Sequence, residues 1–406
     1  MKFNHLFINE MKRFRSSIIF VFIPFLLFSQ IKNRPFLPKY NLLLQKSLVK
    51  SGDRKDSLRY FLNTVPKYQF EAASFLVAYM PERDLKSLSV PFLEDQINGA
   101  YKVKKEFSWC AKLPDSIFFN EVLPYYCFDE DRDNWRNDFY LKFSPLVKDC
   151  KDMRQAVKTI NKNIRDILLV DYNTKRSIVN ISPFQSIKEK MATCTGLSFL
   201  LVDAFRSVGI PARIAGTPMW TNMKGNHSWV EVWIDGKWYF TEYYPDDLNK
   251  SWFLSDAGRA DLSKPQHWIY ASSYKPNETS FRLEWDTISK DIHAENVTKR
   301  YIDLYEKNQL LEQLKPDEVW ISVQLYQSKS DKELQRVSER ISLEQDGKIL
   351  DFGYSPSSID DLNKFLKFKV NKNSAYQIVF LDSKGVKKQT EINVKDTEEL
   401  FQLYEE

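Results

Sequence analysis

Residues 188–213 read KEKMATCTGLSFLLVDAFRSVGIPAR, and this stretch decides the fold. Apolar residues recur in it at i, i+3, i+4, i+7, i+8 and i+11, the spacing of one buried helical face: Leu197, Leu200, Leu201, Ala204, Phe205 and Val208. Gly209 suits the position just after a helix, and Pro211 cannot continue one. The pattern predicts a helix that starts at Cys194 and ends near Val208, with the cysteine off the apolar stripe.

The position of Cys194 indicates a chemical role. The first turn of a helix carries unpaired N–H groups and the positive end of the helix dipole, which favour an anion. A thiol there is favoured as the thiolate, its nucleophilic form. Burial as a packing residue is the alternative, because free cysteines are among the most buried residues. Cys194 is therefore a candidate nucleophile that needs a partner base.

The segments HSWVEVWI (227–234) and KWYFTEYY (237–244) supply that partner. The intervening Asp-Gly pair predicts a two-residue type I′ hairpin turn. In that register Glu242 is the diagonal neighbour of His227, with Cα atoms roughly 7–8 Å apart. A carboxylate there could orient the imidazole, as the third member of a nucleophile–base–acid set does. Asp246 and Asp247 are the alternative acids if a bulge shifts the register.

The segments ATCTGLSFLLVDAFRSVGIPARIAGTPMW and GNHSWVEVWIDGKWYF, followed by an acid, resemble the core of the transglutaminase-like (papain-related) superfamily. The resemblance covers roughly residues 152–273. It implies that Cys194 is the nucleophile and His227 its base or ion-pair partner. The family's acid lies four residues after a second tryptophan, here at Glu242. The family residue is aspartate, so glutamate is a departure that keeps Asp246 open.

The fuller site prediction includes groups around the triad. The backbone N–H of Cys194 would be one oxyanion donor, and Gln185 is a candidate for a second. Trp229 is a candidate wall residue. No cofactor is expected. A metal site at His227 and Glu231 is disfavoured, since no further histidine or cysteine ligand lies nearby in the sequence.

Two classes of function follow. The first is an enzyme that acts on amide bonds of peptides or proteins through a Cys194 thioester, with hydrolysis favoured over cross-linking. The second is an inactive surface protein that binds peptides or carbohydrates through its many aromatic residues. Nucleic-acid binding is disfavoured, because the net charge is only +5 over 406 residues and no dense basic block occurs.

The predicted fold class is α+β. The expected order is a signal peptide or anchor at 1–29, a helical region at 30–150, a transglutaminase-like core at 151–275, a linker at 276–316, and an antiparallel β-sandwich at 317–406. Basic residues before the apolar run Ile18–Phe28 predict export to the periplasm, cell surface or medium, with membrane attachment only if the segment is uncleaved. Disulfide pairing among Cys110, Cys127 and Cys150 stays open.

Overall fold

The computed structural model describes residues 33–244, 247–282, 292–312, 314–330 and 335–406, with the side chains of 309–312 excepted. The predicted export segment at 1–29 lies outside these residues. The helices are α1 (Asn41–Lys50), α2 (Lys55–Thr64), α3 (Phe70–Tyr79), α4 (Glu82–Ser87), α5 (Val90–Glu106), α6 (Ser108–Ala111), α7 (Asp115–Ile117), α8 (Arg136–Val147), α9 (Met153–Leu168), α10 (Pro183–Glu189), α11 (Cys194–Ser207), α12 (Leu254–Ala257) and α13 (Thr298–Glu312).

The strands form four sheets. Their bounds are β1 (Asp171–Tyr172), β2 (Met191–Ala192), β3 (Ala212–Thr217), β4 (His227–Ile234), β5 (Lys237–Thr241), β6 (Tyr270–Ser272), β7 (Thr279–Ser280), β8 (His293–Asn296), β9 (Glu318–Tyr326), β10 (Arg340–Gln345), β11 (Lys348–Tyr354), β12 (Leu366–Asn371), β13 (Ala375–Leu381), β14 (Lys387–Asn393) and β15 (Glu399–Tyr404). The central sheet has the order β5-β4-β3-β6-β8-β7. The α+β fold class is confirmed.

The hairpin β4–β5 has the predicted register. Ile234 pairs with Lys237, and the pairing continues in step to Val230 and Thr241. Asp235 and Gly236 have φ angles of 49° and 83°, the left-handed pair that a type I′ turn requires. Because side chains alternate along a strand, this register fixes which face of the sheet each later residue reaches.

Helix α11 occupies its predicted bounds, but it is buried on all sides. It packs against β3 and β4 on one side and against α8 on the other. The polar residues opposite the apolar stripe are therefore buried too, and Arg206 donates to the carbonyl oxygens of Glu121, Ala212 and Tyr126. The periodic apolar stripe in the sequence predicts one buried face of the helix. Burial of the opposite face depends on other helices that pack against it, which the stripe does not reveal.

The end of α11 is held by Gly209, which has a φ of +74°. The N–H of Ile210 donates to the Phe205 carbonyl at 3.0 Å, and the N–H of Gly209 donates to that of Arg206 at 3.1 Å. These two bonds are the Schellman pattern that satisfies the last carbonyls of a helix. A Cβ on Gly209 would lie 2.7 Å from the Cβ of Cys110.

Gly209→Ala is therefore expected to destabilise the protein strongly. Gly236→Ala is the matched control, because Gly236 also has a positive φ but has no atom within 4 Å of an added Cβ. Both variants carry the left-handed strain, whereas only Gly209→Ala must displace Cys110. We expect urea unfolding to show a loss about 1–3 kcal/mol greater for Gly209→Ala. Equal losses would mean that the Cys110 contact relaxes without cost.

The domain boundaries differ from the predicted ones in two places. The helical region and the central sheet share one hydrophobic core that runs from Tyr40 to Ala294. The segment predicted as a linker also contributes two strands to the central sheet, because β8 pairs with β6 and β7 pairs with β8. These strands are two and four residues long, too short for an alternating pattern to be recognised.

The C-terminal residues form two facing sheets, β11-β10-β13-β14 and β12-β9-β15, around a separate core. Most pairs are antiparallel as predicted, although β15 pairs with β9 in parallel. Glu398 pairs with Arg259, and Lys367 donates to the Ser255 hydroxyl, and these contacts tie the β-sandwich to the rest of the chain.

All four cysteines are free thiols. Cys110 and Cys127 are buried, and burial raises the pKa of Cys110 to about 12. Among the described residues, no helix has both the length and the apolar character needed to cross a membrane.

Candidate active site

Cys194 is the first residue of α11, and Thr193, the N-cap residue, separates it from the two-residue strand β2. The N–H of Leu197 is bonded to the Thr193 carbonyl at 2.9 Å, so the N–H groups before it are those that a helix start leaves unpaired. The hydroxyl groups of Thr195 and Ser228 are hydrogen-bonded to each other at 3.1 Å. That bond joins the residue after Cys194 to the residue after His227, and so fixes the helix start against the strand.

His227 opens β4 and is 2% exposed. Its Nε2 lies 2.7 Å from Oε1 of Glu242, the residue that the hairpin register places diagonally across from it. The hydroxyl of Ser251 donates to Oε2 of Glu242, and the side-chain amide of Asn161 donates to the Glu242 backbone carbonyl. Both the side chain and the backbone of Glu242 are therefore fixed by hydrogen bonds. Because its carboxylate binds Nε2 of His227, the other ring nitrogen, Nδ1, is the one that can exchange a proton with a substrate.

Aromatic rings surround the imidazole of His227. Ring centroids lie 4.8 Å away for Trp252, 5.2 Å for Phe253 and 5.7 Å for Trp229. Trp252 also lines the cavity at Cys194. Trp229 is fully buried, stacks on Phe253 at 4.3 Å and donates its indole N–H to the Tyr301 hydroxyl at 2.6 Å. Trp229 therefore supports the histidine from within the core, and Trp252 is the wall residue.

The β-sandwich adds a third charged side chain, which the sequence did not reveal. Asp361 lies in the loop 355–365 between β11 and β12, and its Oδ2 is 3.4 Å from Nδ1 of His227. The sulfur of Cys194, an imidazole nitrogen of His227 and a carboxylate oxygen of Asp361 all lie within 4.8 Å of one another. At this distance the two groups form an ion pair that favours the charged form of each.

The charges at the site favour a protonated imidazole. Burial opposes the charge, but Asp361, Cys194 and Glu242 together hold the pKa of His227 well above its ordinary value. Burial likewise opposes ionisation of Asp361, yet the neighbouring His227 holds the pKa of that carboxyl below its ordinary value. Cys194 therefore lies at a helix start, beside an imidazole that the site holds in its charged form.

Tyr172 is a second residue that the sequence did not reveal. It ends β1, which pairs in parallel with β2 and places Tyr172 opposite Ala192, two residues before Cys194. Burial, with the nearby Asp361 and Cys194, raises the pKa of the Tyr172 hydroxyl, so the ring carries a neutral O–H donor. No motif marks a two-residue parallel strand, which is why only the structure shows it.

Two cavities meet at Cys194, of about 240 and 310 Å³. Both are lined by Tyr172, Cys194 and Asp361, so these three residues stand between them. The thiol is partly exposed, with open space on either side.

Gln185 and Asp247 lie away from Cys194 and His227. Gln185 is exposed on α10, where its side-chain amide donates to Glu189 at 2.8 Å and to Ser177 at 3.2 Å, so the structure does not bring it to the site. Asp247 pairs with Lys158 at 3.0 Å. Asp246 lies outside the described residues.

Glu231 is surrounded by hydrogen-bond donors and cations, and no second metal-ligating side chain contacts it among the described residues. Its carboxylate binds Arg213 at 2.9 Å, and it also accepts from Arg300 and from the Tyr301 hydroxyl. Metal-type donors come together instead at Cys194, His227 and Asp361. Sulfur, imidazole and carboxylate suit zinc. Zinc at these residues would occupy the sulfur lone pair that a nucleophile needs.

A family model described as the transglutaminase-like superfamily matches residues 143–243. Among solved structures, the chain is similar to a candidate cysteine protease of Cytophaga hutchinsonii, at 21% identity and a TM-score of 0.26, over 34% of this chain and 45% of that one. It is also similar to the red sea bream transglutaminase, at 8% identity and a TM-score of 0.25, over 64% of this chain and 57% of that one.

This chain therefore spans less than two thirds of each of these proteins. A search of curated proteins found no match. The matched segment contains the start of α11, the strand that carries His227, and Glu242. The match to the transglutaminase-like superfamily is thus a property of residues 143–243, the segment that carries the candidate nucleophile and its histidine.

Proposed function

We propose that this chain is a cysteine-dependent enzyme that carries out acyl transfer or hydrolysis at amide bonds of peptides or proteins. The observation that carries the proposal is the arrangement of His227. One nitrogen is bound to Glu242 at 2.7 Å, and the ring lies within reach of the Cys194 sulfur. This is the nucleophile–base–acid order that a thioester mechanism needs.

In that mechanism the Cys194 thiolate attacks the amide carbonyl carbon. The C–S bond forms and the C–N bond breaks, and the proton on His227 Nδ1 passes to the departing amine. The unpaired N–H groups at the start of α11 would stabilise the developing oxyanion. Water or a second amine then releases the acyl group and restores the thiolate.

The binding-protein alternative has less support. An exposed aromatic platform would suit peptide or carbohydrate binding, but Trp220, Trp229 and Phe253 are buried beneath the site. Export of the chain remains part of the proposal.

Thiol labelling tests the proposed function. Wild-type Cys194 is expected to react with iodoacetamide at pH 7 about 10-fold faster than a free cysteine, because its sulfur lies beside the His227 imidazole at the start of a helix. Cys194→Ala should abolish the fast labelling. Cys150→Ala is the matched control, since Cys150 is also partly exposed but its sulfur contacts the Thr159 hydroxyl and the Leu146 carbonyl instead of a histidine. A wild-type rate no higher than that of free cysteine would favour the binding protein.

A further inference from the structure

We propose that Asp361 selects the amine in this reaction, by binding the primary amine that leaves from, or attacks, the acyl carbon on Cys194. This inference rests on the proposed function and names the chemical class of one reactant. It makes a residue of the β-sandwich part of the substrate site.

The position of the amine nitrogen follows from the chemistry. The nitrogen is bonded to the carbon that forms the bond to the Cys194 sulfur. It must also exchange a proton with His227 Nδ1, which requires a separation of about 3 Å. The nitrogen is therefore confined to a small space beside both Nδ1 and the sulfur.

The carboxylate of Asp361 borders that same space. Its Oδ2 is 3.4 Å from Nδ1, and the carboxylate oxygen, the imidazole nitrogen and the Cys194 sulfur lie within 4.8 Å of one another. Its Oδ1 accepts from the backbone N–H of Asn363 at 2.9 Å, which leaves Oδ2 on the reacting side. An amine placed to exchange a proton with Nδ1 can therefore direct another N–H to Oδ2.

The loop 355–365 holds this carboxylate in place. The buried guanidinium of Arg336 donates to the carbonyl oxygens of Asp360, Asp361 and Lys364. The Asp360 carboxylate accepts from the N–H and hydroxyl of Ser357, both at 2.8 Å, and from Lys364 at 3.0 Å. A carboxylate held this firmly is preorganised for recognition, because binding costs it little further ordering.

The two cavities supply room for both halves of the substrate. They adjoin at Cys194, with Asp361 and Tyr172 lining each of them. The acyl group and the amine can therefore occupy separate cavities, with Asp361 at their junction beside the bond that is made or broken.

In the transfer step, the neutral amine attacks the thioester carbon. The C–N bond forms, the C–S bond breaks, and its electron pair returns to the Cys194 sulfur. One proton of the attacking nitrogen passes to His227 Nδ1, and a second N–H is held by Asp361. Because the nitrogen becomes positive as it attacks, an anionic acceptor stabilises this step, and a secondary amine has one fewer N–H to offer.

The experiment uses an acyl donor that does not depend on the natural substrate. The full-length protein is acylated with p-nitrophenyl acetate, and the thioester is released in the presence of n-butylamine. The ratio of N-butylacetamide to acetate measures selection of the amine over water. We expect Asp361→Asn to lower this ratio about 10-fold or more, and the ratio is independent of the acylation rate because both products come from the same thioester. Pyrrolidine should give a lower ratio than butylamine with the wild type.

Asp382→Asn is the matched control. It removes the same charge from the β-sandwich, but from the turn after β13, where the carboxylate accepts from the backbone N–H groups of Lys384 and Val386, and it should keep the wild-type ratio. An unchanged ratio in Asp361→Asn and Asp361→Ala would overturn the inference. Faster acylation in these variants with no change in the ratio would also overturn it, and would identify Asp361 as a steric block. Absence of a wild-type burst would instead contradict the proposed function itself.

Discussion

Replacing His227 by alanine is expected to lower the turnover of p-nitrophenyl acetate by about 10³-fold or more. The variant loses the group that exchanges protons beside the Cys194 sulfur and that activates water for release of the acyl group. Burst and steady-state kinetics measure the two steps separately. Both rates should fall, since His227 acts in each of them.

His267→Ala is the control for this variant. His267 is also buried, and its ring nitrogens contact the Met219 carbonyl at 3.0 Å and Gln266 at 3.1 Å. It does not line the cavity at Cys194, so its loss should affect stability without a comparable loss of turnover. If turnover falls by less than about 10-fold in His227→Ala, His227 does not act as a general acid or base, because such groups contribute far more to the rate.

Glu242→Gln is expected to lower turnover by about 10²- to 10⁴-fold. The glutamine keeps nearly the same shape and can still meet Ser251, but it no longer offers a negative charge to Nε2 of His227. Asp247→Asn is the control, since Asp247 pairs with Lys158 on the surface. Normal turnover in Glu242→Gln would indicate that another carboxylate, such as Asp246, is the acid that orients His227.

The same variant should also change a titration. The pKa of His227 is raised above 6.5 although burial opposes it, and Glu242 is one of the groups that raise it. Glu242→Gln should therefore lower that pKa, which NMR of the labelled imidazole can measure. A raised pKa contributes stability in full below the unfolded value of about 6.5, and the contribution is lost as the pH rises through the folded value. The stability deficit of the variant should accordingly be largest on the acid side.

Local patterns predicted the parts of the site that neighbouring residues define. The bounds of α11, the turn at Asp235 and Gly236, and the approach of Glu242 to His227 all follow from periodicity and turn chemistry. Each of these three features depends on residues close together in the chain. Over such short distances, the 3.6-residue period of a helix or the 2-residue period of a strand determines which side chains lie side by side.

Other assignments failed because they depended on distant contacts. Gln185 is upstream of Cys194 in the chain, but α10 directs its amide to Glu189. Trp229 shares a strand face with His227, but that face is covered by Tyr301 and Phe253. The sequence shows which residues share a face, and the tertiary structure shows what covers that face.

The sequence by itself determined the helix start that carries Cys194 and the hairpin that sets Glu242 against His227. Only the tertiary structure decided that α11 is buried on all sides, that Tyr172 reaches the thiol, and that Asp361 approaches His227 from 134 residues further along the chain. The physical reason is that backbone periodicity encodes local geometry, whereas a contact between separate sheets depends on how their surfaces pack and leaves no pattern in either segment.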